Sequence, residues 1–232
     1  MSEARTIDYE GATHELVSDG SGAARPGVIL YPTVMGITDL ERGFAEHLVG
    51  LGYSVLLADL YGRRFTPDQR GDAMEAMQGL RADRLALRDR LLCVLGAAIE
   101  QEAIDDERVA AIGFCFGGQN ALDLARSGAD IAGVASFHGL FDPPGLSPRP
   151  ITAKVAAYHG WDDPLVSPDA VLGLAAELTE AGADWQIHAF GHVGHGFTNP
   201  GATGAMPGIK FDGTTARRAW AACDAFLAEC FA

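Results

Sequence analysis

Apolar runs of strand length alternate along the chain with longer segments of helical period, the pattern of a mostly parallel sheet covered by helices. Six runs are predicted as strands: VILYP (28–32), SVLLADL (54–60), RVAAIGF (108–114), AGVASFHG (132–139), KVAAYHG (154–160) and WQIHAF (185–190). Helices are predicted over 39–51, 68–103 with a break near Gly79, 117–128, 168–181 and 214–230. Asp39 and Asp169 suit N-terminal caps or first-turn acids, Pro168 suits a first helical turn, and Gly52 and Gly182 suit C-terminal stops. The looser segments 141–150 and 199–213 each follow a strand and are expected to wall a site, because loops at the carboxyl ends of strands carry function in such sheets. The acidic run Glu100 to Glu107 reads as a solvated helix end and connection.

The chain has 232 residues, and at about 150 residues per domain the simplest organisation is one domain over 1–232. Its 17 Lys and Arg against 31 Asp and Glu leave a formal charge of −14, which would repel a phosphate backbone or anionic membrane over most of the surface. Neither nucleic acid nor membrane is an expected partner. The opening MSEARTIDYE carries no apolar run after a basic start, and Val109 to Leu122 is too short and glycine-rich to span a bilayer, so a cytoplasmic location is expected. Cys93, Cys115, Cys223 and Cys230 show neither CxxC nor paired spacing and read as core thiols. On one helix Cys223 and Cys230 would lie roughly 10 Å apart, beyond disulfide reach.

The candidate chemistry centres on RVAAIGFCFGGQNALDLA, a buried-type strand running through Gly113, Cys115, Gly117 and Gly118 into a helix. A nucleophile elbow needs small residues two positions either side of its strained central residue, and Gly113 and Gly117 meet that need. At a helix start the unpaired N–H groups favour the thiolate of Cys115, although an inert buried thiol beside packing glycines fits the motif equally well. An elbow nucleophile also requires an acid and a histidine, in that chain order. Asp163 in YHGWDDPLVSP is the chosen acid over its neighbour Asp162, and His195 in WQIHAFGHVGHGFTNP is the chosen histidine. His192 reads as an exposed loop residue and His188 as a strand residue. A metal set of His188, His192 and His195 is rejected because Gly191, Gly194 and Gly196 forbid the helix that would align them. Neither a metal nor any other cofactor is expected.

These residues resemble the dienelactone hydrolase family of the α/β-hydrolase fold, from VILYPTVMG through LGYSVLLADLYG, GFCFGG and HGWDDPLVSP to HGFTNP. The resemblance implies Cys115 as nucleophile, His195 as general base, Asp163 as its orienter, and an oxyanion hole from the backbone N–H groups of Val34 and Phe116. It also marks two departures. Members that open dienelactones carry a glutamate where this chain has Thr33, and an arginine where it has Asn199, which weighs against that particular anionic substrate.

Arg63, Arg64 and Arg70 offer another anchor, with surface arginines the commoner explanation. Thr33, Met35, Trp161, Phe197 and Asn199 are expected to contact substrate, while Phe114 is expected to pack in the core. His138 either reaches the pocket or makes a structural hydrogen bond. The expected activity is cleavage of a small lactone or activated ester through a cysteine thioester, by a monomer or small homo-oligomer. The rival readings are a redox-sensing protein of the same fold and an acyl transferase using the same three residues.

Overall fold

The computed structural model describes residues 2–232. Eight strands form one sheet: β1 (Glu3–Tyr9), β2 (Ala12–Ser18), β3 (Arg25–Tyr31), β4 (Ser54–Leu57), β5 (Ile104–Phe114), β6 (Gly133–Phe137), β7 (Lys154–Gly160) and β8 (Trp185–Phe190). Their order across the sheet is β1-β2-β4-β3-β5-β6-β7-β8, with β2 antiparallel to both its neighbours β1 and β4 and every other pair parallel. The helices are α1 (Asp39–Gly50), α2 (Arg70–Ala82), α3 (Arg84–Ile99), α4 (Phe116–Arg126), α5 (Pro168–Glu180) and α6 (Gly213–Cys230).

Strand alternation sorts the core onto two faces. Ile29, Tyr31 and Ala111 pack with residues of α2 to α5, whereas Val28, Leu30, Ile112 and Phe114 pack with residues of α1 and α6. Both faces are covered, which is why the central strands read as continuous apolar runs. All six predicted strands and the predicted helices are present, and three details differ. The hairpin of β1 and β2 was not expected, the break after α2 falls at Asp83 and not at Gly79, and β5 begins at Ile104. Asp83 makes that break by accepting a hydrogen bond from Ala86 N–H, the cap of α3. The acidic connection is thus partly strand: Ile104 and Asp105 pair with Arg25 and Pro26 before a register shift.

Two helices are capped by hydroxyl residues and two, α3 and α6, by Asp83 and Asp212. Thr38 caps α1 and Ser167 caps α5, placing Asp39 and Asp169 in first turns as anticipated. All four cysteines are free, but Cys93 is exposed on α3 and is not a core thiol. No helix among the described residues is long and apolar enough to cross a membrane.

Candidate active site

The sheet order gathers residues that are distant in sequence. Thr33 and Val34 follow β3, Cys115 follows β5, His138 follows β6, Asp163 follows β7 and His195 follows β8; these strands are consecutive neighbours running in the same direction. Their carboxyl ends therefore share one edge, where parallel sheets bind ligands.

Cys115 sits between β5 and α4 with φ 57° and ψ −116°, a backbone state that non-glycine residues hold only when their surroundings force it. Its N–H still continues the sheet by donating to Phe137 O at 3.0 Å. The turn is tight enough that a Cβ on Gly113 would stand 1.9 Å from Gly117 O, and one on Gly117 2.1 Å from Tyr31 O. Each atom it would strike is backbone, so neither neighbour can yield without moving α4 or the end of β3. Gly117→Ala is accordingly expected to lower stability by about 3 kcal/mol or more, read from denaturant unfolding.

Asp163 and His195 meet as a buried pair, with Nδ1 2.8 Å from Asp163 Oδ2. Asp163 Oδ1 accepts from Leu165 N–H at 2.8 Å, so both carboxylate oxygens are held. The backbone of His195 is clamped by the 199–213 segment: its N–H donates to Gly208 O at 2.7 Å and its O accepts from Lys210 N–H at 3.0 Å. Asp162, by contrast, is more than half exposed and lies 3.7 Å from the fully exposed His192.

Nε2 of His195 hydrogen-bonds no protein atom in ordinary geometry, yet ring and thiol are close enough to shift each other's ionisation. Burial opposes the charged form of both. The His195 charge and contact, with the N–H of Phe116, nevertheless bring the Cys115 thiol below its ordinary 9.0. For His195, burial is outweighed by the charge of Cys115 and the bond to Asp163, and its pKa rises to about 10. The coupling favours a thiolate facing an imidazolium over the neutral thiol and imidazole.

The sign of this coupling gives a test. Iodoacetamide should alkylate Cys115 with a rate midpoint below pH 9 in the wild type, and His195→Ala should move the midpoint upward, because burial then acts unopposed by the imidazolium. Where the midpoint lies above pH 7, each further unit of upward movement slows the reaction at pH 7 about tenfold.

His138 is buried, holds φ 38°, and shares a 2.8 Å hydrogen bond between Nε2 and Thr198 Oγ1. Its ring meets that of His195 edge-on at 5.0 Å between centroids. Burial, then the nearby His195 charge, keeps its pKa well below the usual histidine range, so it is a neutral wall beside a charged ring.

The other anticipated residues divide. Phe116 N–H helps to lower the Cys115 pKa, and Val34 N–H makes no hydrogen bond among the described residues. Met35 is half-buried beside Val34, and Trp161 is 40% exposed at the rim of the Asp163 turn. Phe197 does not line a pocket: it is fully buried, with its ring against His138 and Phe190, and this replaces the expected substrate contact with a core role. Phe114 is core, stacked between Phe44 and Phe137.

Thr33 directs its hydroxyl to Glu41, and Asn199 caps its own turn by accepting from Gly201 N–H. Arg64 is engaged by Asp59 and Thr13 O, Arg63 lies over the Phe65 ring, and Arg70 is exposed at the start of α2. His188 bonds Gln186 on β8. The 143–150 segment covers a cavity of about 470 Å³ lined by Arg84, Asp123, Arg126 and Glu177, and no triad residue borders it.

Sequence reasoning missed Tyr61, whose hydroxyl donates to Val34 O at 3.1 Å, and the buried Glu41. Glu41 was signalled by the capping-box spacing Thr38-x-x-Glu41.

The fold and this edge define an α/β hydrolase. Residues 15–231 match the Dienelactone hydrolase family, and the chain belongs to it. Among solved structures, m3DLH is 35% identical with a TM-score of 0.91, covering 100% of this chain and 99% of that one. A dienelactone hydrolase-like promiscuous phosphotriesterase from metagenomic libraries is 32% identical with a TM-score of 0.88 and the same coverage. Carboxymethylenebutenolidase 1 of Cupriavidus pinatubonensis is 30% identical over 182 residues, 74% of this chain and 75% of that protein. The chain is thus a carboxylic ester or lactone hydrolase of this family, acting on a small molecule.

Proposed function

We propose that Cys115, His195 and Asp163 are a nucleophile, base and orienting acid that cleave a lactone or activated ester through a thioester on Cys115. The observation that carries this reading is the buried His195–Asp163 pair at 2.8 Å, electrostatically coupled to a thiol on a strained elbow. The Cys115 thiolate attacks the carbonyl carbon, and the developing oxyanion is received by the N–H groups of Phe116 and Val34. Collapse expels the alkoxide or enolate, which takes the proton from His195 Nε2. Met35 and Trp161 flank this position and would contact the substrate's apolar part.

Deacylation follows from the same coupling. Once Cys115 is acylated its negative charge is gone, and with it the foremost influence raising the imidazole pKa. His195 then falls back toward the histidine range and becomes a base for water, with Nδ1 still held by Asp163. A thiolate departs from a tetrahedral species more readily than an alkoxide, so enol lactones, aryl esters and thioesters suit this nucleophile better than amides. With p-nitrophenyl acetate the wild type should release a burst of p-nitrophenolate close to one equivalent, followed by slower turnover. Turnover unaltered in both Cys115→Ala and His195→Ala would reject the reading.

A further inference from the structure

Glu41 is fully buried, and its carboxylate does more than cap a helix. Oε2 accepts from Thr38 N–H at 3.0 Å and from the Thr38 hydroxyl, which completes the capping box of α1. The other oxygen, Oε1, leaves the helix altogether: it accepts from Thr33 N–H at 3.2 Å and from Thr33 Oγ1 at 3.0 Å. A cap does not need that second pair, and burying a carboxylate is costly unless the donors around it are in place.

Those donors belong to the segment expected to supply an oxyanion contact. The peptide joining Thr33 to Val34 is one rigid plane. Its carbonyl accepts from Gly36 N–H at 3.0 Å, so the Val34 N–H on the opposite edge is turned away from that turn and is left without a partner. On the far side Tyr61 holds Val34 O at 3.1 Å. Glu41 fixes the residue before this peptide at two atoms and the residue at the other end of the loop at two more.

We infer that Glu41 is a positioning residue for the oxyanion donor Val34, acting through Thr33; this rests on the thioester mechanism above. Glutamine in its place keeps the volume but offers one acceptor oxygen, and its amide N–H groups would confront the N–H and hydroxyl of one threonine. The 33–38 loop would then lose the register that aims Val34 N–H.

The test separates reactions that need an oxyanion hole from one that does not. Ester attack builds charge on oxygen; alkylation of Cys115 by iodoacetamide displaces iodide and builds none there. Glu41→Gln should lower kcat for p-nitrophenyl acetate about 10²-fold, the loss usual for one oxyanion donor, with KM little changed. Its iodoacetamide rate and pH midpoint should match the wild type. Thr33→Val, which removes only the Thr33 hydroxyl bond, should show a smaller fall of the same kind, and it carries the test if Glu41→Gln does not fold.

Unchanged ester turnover in the soluble variants overturns the inference. So does an equal loss of alkylation and turnover, which would show that Glu41 merely supports the fold around Cys115. Failure of the underlying mechanism has its own signature, a wild type without burst or turnover, and would remove this role with it.

Discussion

Cys115→Ala is expected to lower kcat/KM for an aryl ester by about 10⁴-fold or more, leaving only what binding and the backbone N–H donors provide. The size follows from the role: without sulfur no thioester forms, and the remaining groups can only orient water. Alanine keeps Cβ and therefore carries the same backbone strain at φ 57°, so the melting temperature should change little. The fall in activity can thus be read as chemistry. The variant also removes the foremost influence raising the His195 pKa, which should drop toward the ordinary histidine value. An NMR titration of the imidazole in wild type and Cys115→Ala would register that drop.

Asp163→Asn has the second largest expected effect, about 10³-fold in kcat. Both carboxylate oxygens are engaged: Oδ1 accepts from Leu165 N–H, and Oδ2 faces His195 Nδ1. An asparagine whose oxygen keeps the Leu165 bond must turn its amide N–H toward Nδ1. It would then demand an acceptor there, placing the proton on Nε2, where the ring can neither take the water proton nor form the imidazolium at low cost. Asp162→Asn is the matched control. That side chain is more than half exposed and should leave turnover near wild type, as steady-state kinetics of the pair would show.

The chosen acid illustrates what was legible in the sequence. A residue three positions beyond the end of a buried apolar strand is placed by that strand, and Asp163 N–H indeed turns back to Gly160 O at 3.1 Å. The same holds for Cys115, bracketed by glycines that only a tight elbow requires. Parallel strands buried on both faces announce themselves as apolar runs, and the residues just past their ends come with them.

What stayed hidden lacks that signature. β1, reading EARTIDY, is almost wholly exposed and pairs on one side, so neither an apolar run nor a clean alternation marks it. The available signal was its turn: Glu10 and Gly11 both take positive φ, as two-residue hairpin loops require. Phe197 misled for the opposite reason. Its nearness to His195 along the chain predicted a pocket, but its ring is fully buried against His138 and Phe190, a packing set by tertiary neighbours. Glu41 was visible only as a cap residue; that its second oxygen reaches Thr33 depends on how α1 sits against the end of β3, a tertiary fact.

The proposed mechanism requires a covalent acyl group on one sulfur. Rapid acid quench of the enzyme during turnover of p-nitrophenyl acetate, followed by peptide mass mapping, tests it most directly. An acetyl group is expected on the peptide containing Cys115, appearing with the burst and persisting longer in a variant impaired in deacylation. Sustained turnover with Cys115 unmodified throughout, or with the acetyl group on another residue that turnover requires, would contradict it.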